Sequence, residues 1–221
     1  MVIILFVHHL YGHVTMMIQN LINCHINDTL EQITEAEYGA HYIIIYPDLA
    51  TLRELYSNYI HKQIEENNEI VLINPFYETT DSVRQVLSQY NTPGFDVSKY
   101  QKERVLMIID SLEEYFGQQE EDMPFKKSLA NYAKEIGRGS LSFLSDLGAY
   151  AHKSKHNDLV EYELSLPTKY NDVPMKGFCL YHQNDFDKFS DEQKQKLVEH
   201  HGKAIKIVKH HKNLIEVTRF G

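Results

Sequence analysis

Between Glu69 and Leu87 the chain reads EIVLINPFYETTDSVRQVL, and the loop inside this stretch carries the most definite chemistry. Ile70 to Ile73 form a continuous apolar run, the pattern of a strand covered on both faces. Asn74-Pro75 ends that strand. Thr79, Thr80 or Asp81 can then cap a helix in which Val83, Val86 and Leu87 recur at helical spacing. A nucleoside triphosphatase places its phosphate-binding loop in this strand–loop–helix setting. Here the loop is Asn-Pro-Phe-Tyr-Glu-Thr-Thr, with no glycine to let backbone N–H groups close around a phosphate and no lysine to reach the terminal oxygens. Pro75 removes a donor, and Glu78 sets a negative charge where an anion would lie. What the loop offers instead is two aromatic faces from Phe76 and Tyr77, the donating and accepting amide of Asn74, and a carboxylate. That is chemistry for a small molecule with a polar head group.

Other reactive side chains carry weaker signals. Asp146 closes an apolar run, the place where a nucleotidase keeps its magnesium-holding aspartate. Without a phosphate cradle its expected role is a helix cap or a loop hydrogen bond. Glu161 and Glu163 read as solvated carboxylates. The 13 histidines include His8-His9, His200-His201 and His210-His211, and His9 and His13 have the spacing of two ligands on one helix face. No HExxH motif accompanies them, and no third ligand follows at a defined spacing. No metal and no cofactor are therefore expected. His200-His201 read as solvated groups that complement the negative end of a helix dipole. The chain has no GxSxG elbow, and Cys179 lies in an apolar strand that disfavours a thiolate. Catalysis is not expected.

Positioning these groups requires strands that end at them. Strands are predicted at His41–Tyr46, Glu69–Asn74, Arg104–Asp110, Ser140–Asp146, Lys176–His182 and Ala204–Val208, with a last one at Asn213–Val217 pairing as a C-terminal hairpin. Helical periodicity lies between them at Ala50–Glu66, Thr80–Tyr90, Pro124–Ile136, Asn157–Leu166 and Asp191–His201. The alternation predicts a three-layer α/β fold, a mostly parallel central sheet with helices on both faces. Ile43 and Ile45 are expected in the strand adjacent to Val71 and Ile73. Ligands in such sheets bind beyond the carboxyl ends of the strands. The candidates there are Tyr46, Asn74, Pro75, Phe76, Tyr77, Glu78, Asp110, Asp146, Tyr181 and His182. Ahead of the sheet, Val14–Ile26 reads as an apolar helix, and Asp28-Thr29-Leu30-Glu31 as a capping box opening a second helix that ends at Gly39. The expected organisation is a helical N-terminal extension over 1–37 and a single α/β domain over 38–221.

Composition narrows the function classes. With 22 Lys+Arg against 31 Asp+Glu the formal charge is −9, which argues against direct nucleic-acid binding. The two cysteines, Cys24 and Cys179, form no CxxC pair, as in intracellular proteins with reduced thiols. The leader run Val2–Val7 is too short to span a bilayer and lacks the flanks of a signal peptide, and Met16-Met17 offers a second translation start. A cytoplasmic protein with no membrane contact is expected.

The same segments carry a family resemblance. HYIIIYPDLATLRELYSNYIHKQIEENNEIVLINPF is similar to the opening of the MEDS sensory domain, known from the dichloromethane-responsive repressor of methylotrophs and from methanogen signalling proteins. Asn67-Asn68 stands in a turn where that family more often has Gly, and His41 matches a family position. GFDVSKYQKERVLMIIDSLEEY, LSFLSDLGAY, LVEYELSLP and GFCLYHQNDF resemble later blocks. The likeness covers Tyr38 to Val208. It implies a RecA-like fold, related to the circadian-clock ATPases, with a degenerate P-loop, and a role in sensing small hydrocarbon derivatives within transcriptional or signal regulation. It also adds His41 to the candidate ligand-binding residues. Relatives often carry a DNA-binding or kinase module. This sequence shows neither, so the expected partners are a small organic ligand, a separate transcription factor or histidine kinase, and a second copy of the chain. The competing readings are a divergent nucleotide-binding ATPase and a purely structural partner-binding protein.

Overall fold

A computed structural model describes residues 20–90, 95–117 and 122–209. In chain order its elements are β1 (Leu21–Cys24), α1 (Ile26–Thr34), β2 (His41–Tyr46), α2 (Leu49–His61) continued by a π turn (Lys62–Glu66), β3 (Ile70–Asn74), α3 (Thr80–Tyr90), α4 (Val97–Lys102) and β4 (Leu106–Ile108). They continue with α5 (Ser111–Phe116), α6 (Asp122–Glu135), β5 (Leu141–Asp146), α7 (Gly148–His152), α8 (His156–Ser165), β6 (Met175–His182), α9 (Gln183–Phe186), α10 (Asp191–His200) and β7 (Lys203–Ile207). The strands form one sheet in the order β1-β7-β2-β6-β5-β3-β4, and every pairing is parallel.

The apolar runs form the central strands because both faces of the sheet are covered. All of β3 and β5 are buried, whereas the edge strand β1 exposes Ile22. Alternation divides each strand between two cores. Ile44, Tyr46, Val71, Ile73, Leu144 and Leu180 pack under α1–α4. On the other face Ile43, Ile45, Cys179 and Tyr181 meet α7–α10, and Ile70, Leu72 and Phe143 meet α6. The chain leaving β2 and β3 thus passes to one face, and the chain leaving β5 and β6 to the other. Across the pairs β2/β6 and β5/β3 the connections diverge, which opens a crevice at the carboxyl edge of the sheet.

The three-layer α/β architecture and six strand positions agree with the sequence pattern, and α3 has its expected bounds. Asn68 adopts φ +55°. The turn at Asn67-Asn68 therefore needs a left-handed residue, and Asn tolerates that conformation. Several expectations are corrected. Leu21–Cys24 is not helical but pairs with Ala204–Ile207 as the outermost strand. The capping box at Asp28–Glu31 does not form: α1 starts at Ile26, Thr29 is inside it with its hydroxyl donating to the His25 carbonyl, and it ends at Thr34. β2 and β3 are not neighbours, because β6 and β5 lie between them. Arg104 and Asp110 lie outside β4: Arg104 takes φ +55°, and Asp110 caps α5 by accepting from Leu112 and Glu113 N–H. The expected hairpin strand Asn213–Val217 and the helix start at Val14 lie outside the described residues.

Candidate functional site

Tyr46, Asp146 and the loop from Asn74 to Glu78 meet at the carboxyl edge, over the crevice. Tyr46, on β2, reaches past β6 and donates its hydroxyl to Asp146 Oδ2 at 2.7 Å. Asp146 Oδ1 accepts from Gly148 N–H at 2.9 Å, the loop bond expected of it. Burial drives the Asp146 carboxyl up to about 7, against the lowering effect of those two donors, and Asp185 and Glu78 add repulsion. The same burial, with the Asp146 charge, raises the Tyr46 hydroxyl. A carboxyl titrating near neutrality, with a tyrosine hydroxyl fixed on it, can either donate or accept toward a ligand.

Phe76 and Tyr77 cover this pair. Their rings meet edge to face at 4.9 Å, Phe76 lies against His152, and Tyr77 lies against His182 and donates its hydroxyl to Asp185. Gly148 makes the seat for both rings: a Cβ there would stand 2.4 Å from Phe76 Cδ1 and 2.8 Å from Tyr77 Cε2. Beneath the rings, a cavity of about 10 Å³ is lined by Leu52, Tyr56, Ile73, Pro75, Asp146 and Leu180, the space of a single water molecule. Glu78 closes the other end of the loop. It is bound by Arg53 at 3.1 Å, by the Tyr56 hydroxyl at 2.9 Å and by Ser82 at 2.8 Å. Asn74 is likewise committed, accepting from Ser145 and facing the Ile109 carbonyl.

A second cluster of functional groups lies on the opposite face of the sheet. His41 Nε2 is 3.3 Å from Cys179 Sγ, Cys179 Sγ is 3.5 Å from Glu163 Oε2, and His201 Nε2 is 3.1 Å from the same oxygen. All four residues are buried. Burial, aided by the neighbouring His201, pushes His41 down to about 3.

A family model matches residues 40–202, about three quarters of the chain: MEDS, the methanogen/methylotroph DcmR sensory domain. The chain belongs to the MEDS family. The matched stretch spans both the cleft and the buried cluster of this MEDS domain. No curated protein matches the chain. Among the described residues, no helix is long and apolar enough to cross a membrane.

Eight of the sequence-derived candidates, Tyr46, Asn74, Pro75, Phe76, Tyr77, Glu78, Asp146 and His182, are brought together at the cleft of the MEDS domain. Two are not. His41 donates Nδ1–H to the Pro167 carbonyl on the far face, and Tyr181 is buried in the core of that face. Glu163 and His201, read from sequence as solvated, are both buried, because α8 and the end of α10 turn them onto β2 and β6. Pattern reading missed Arg53, Tyr56 and Asp185. The first two have the i, i+3 spacing that places them on one side of α2, and Asp185 stands three residues beyond the predicted strand end at His182.

Proposed function

We propose that this MEDS domain is a non-enzymatic cytoplasmic sensor that takes a small neutral or cationic organic molecule into the crevice beneath Phe76 and Tyr77. It would pass that signal to a separate transcription factor or histidine kinase. The observation that carries the reading is the position of the two rings. Ile73, just before them, is 2% exposed, but Phe76 is half-buried and Tyr77 is 40% exposed. Residues that plugged a core would be sealed in. These lie as a cover over a polar pair, and moving them sacrifices little apolar burial. Charge supports the ligand class: Arg53 and Lys188 are paired with Glu78 and Asp185, so an entering anion would face Asp146 while those two cations, among the described residues, are already committed.

Thermal melts of the parent and of a Phe76→Ala/Tyr77→Ala variant, with and without small alcohols, amines and halogenated hydrocarbons, test this. The variant is expected to melt within a few degrees of the parent and to lose the ligand-induced shift. A melt far below the parent would mean that the rings are core and that the closed cleft serves packing or partner docking instead.

A further inference from the structure

We propose that His41, Glu163, Cys179 and His201 form a tetrahedral binding site for one divalent transition-metal ion, zinc by its ligand chemistry. Four elements far apart in sequence deliver these side chains: the first residue of β2, α8, the middle of β6, and the residue that caps α10. One donor atom from each lies within 4.8 Å of all the others. Four of the six separations are 3.1 Å for His201 Nε2–Glu163 Oε2, 3.3 Å for His41 Nε2–Cys179 Sγ, 3.5 Å for Cys179 Sγ–Glu163 Oε2 and 3.8 Å for His41 Nε2–Glu163 Oε2, and the other two are no longer than 4.8 Å. A tetrahedron with metal–nitrogen and metal–oxygen bonds of about 2.0–2.2 Å and a metal–sulfur bond of about 2.3 Å has edges of about 3.3–3.6 Å.

The rings are oriented as ligands. His41 Nδ1 lies 3.0 Å from the Pro167 carbonyl and His201 Nδ1 lies 2.7 Å from the Leu197 carbonyl. A carbonyl only accepts, so each Nδ1 carries the proton and each Nε2 turns its lone pair inward, the outer-sphere arrangement of metal-bound histidines. Without an ion, His201 Nε2 must take a second proton to face Glu163 as a buried imidazolium–carboxylate pair, while the His41 lone pair and the Cys179 sulfur share a single proton. Bringing these groups together in this way, out of water, is costly. With an ion, all four become donors to the metal. Thiolate and carboxylate then balance the two positive charges, which makes the site neutral in a core where each residue is at most 5% exposed. Soft sulfur with two imidazoles favours zinc over magnesium or calcium. With four protein ligands the site is closed, which makes it a structural centre that ties α8 and α10 to the sheet.

The full chain, purified in zinc-containing buffer and washed with a chelator, is expected to retain one zinc per chain by elemental analysis. Replacing zinc by cobalt should give the intense visible bands of a tetrahedral site and a thiolate-to-cobalt charge-transfer band. Because Cys24 is the other thiol, Cys24→Ser should keep that band. Cys179→Ser should abolish it, and Glu163→Gln should lower zinc retention. A His8→Asn/His9→Asn/His13→Asn variant should keep one zinc, which separates this site from the N-terminal histidines. Loss of all zinc to the chelator from the parent, a cobalt spectrum without the thiolate band, or a band lost in Cys24→Ser would each overturn the proposal. The parent and Cys24→Ser readings stand even if Cys179→Ser fails to fold.

Discussion

Asp146→Asn should make the protein more stable relative to the parent as the pH rises. In the folded chain the Asp146 carboxyl holds its proton up to about 7, with burial the main cause, whereas its ordinary value is 3.8. Between those two values the folded state binds more protons than the unfolded state, so folding stability falls as pH rises. The slope is about 1.36 kcal/mol per pH unit, and the whole window corresponds to ~4 kcal/mol. Above it, the contribution is flat. Asparagine has the same shape and can still accept from Gly148 N–H, but leaves the Tyr46 hydroxyl without a charged acceptor. That loss is about 1 kcal/mol and independent of pH. The groups facing Asp146 are Tyr46 from β2, Tyr77 and Glu78 from the loop after β3, and Asp185 from α9; all four remain in the variant. Urea unfolding of both proteins at about pH 5 and about pH 8 should therefore show the variant gaining ~2–3 kcal/mol on the parent between the two conditions. A difference unchanged with pH would refute the reasoning, because it would mean that the Asp146 carboxylate is solvated.

The other expectations concern the same edge of the sheet. Mg-ATP should show no binding by calorimetry, since the loop has no lysine or glycine and holds Glu78; micromolar affinity would contradict this. Ile73→Ala, 2% exposed in the parent and packed under α1–α4, should cost roughly 2–5 kcal/mol in denaturant titration, and a loss well below 1 kcal/mol would place the strand at an edge. Gly148→Ala should cost about 1–3 kcal/mol by displacing Phe76 and Tyr77 from their seat. A melt equal to the parent's would show that the rings are not held there.

The strands were legible because a sheet buried on both faces writes itself as short continuous apolar runs, and IIIY, IVLI and FCLY have no other economical use in a chain of this charge. The helices between them were legible by periodicity. What pattern could not give was neighbourhood. The connection from β2 to β3 passes over two strands that come later in the chain, and adjacency in sequence says nothing about that crossover. β1 was misread because a four-residue edge strand, exposed at Ile22 and Asn23, lacks both the length and the apolar density that mark the central strands. The capping box failed for a similar reason. Asp28, Thr29 and Glu31 satisfy a local rule, but Ile26 has a place against the first core, and burial pulls the start of the helix upstream of the polar signal.

The two groups of functional residues differ in legibility for a physical reason. The cleft residues sit at strand ends, and strand ends are local events: a proline, an aspartate or a tyrosine closing an apolar run can be read one at a time. The sheet then gathers them, because parallel strands end at one edge. His41, Glu163, Cys179 and His201 are gathered by layers instead. His41 and Cys179 are separated by 138 residues and meet because β2 lies beside β6 in register, Ile43 against Cys179. Glu163 and His201 arrive from helices laid over that pair. In sequence each has an adequate bland use, as a solvated carboxylate or a charge at the end of a helix. The bland use fails once the helices dock, since a carboxylate and two imidazoles cannot be closed off from water together unless something supplies positive charge. The strongest chemical statement in this chain is thus made by residues whose spacing carries no motif, and it follows from which strands are neighbours.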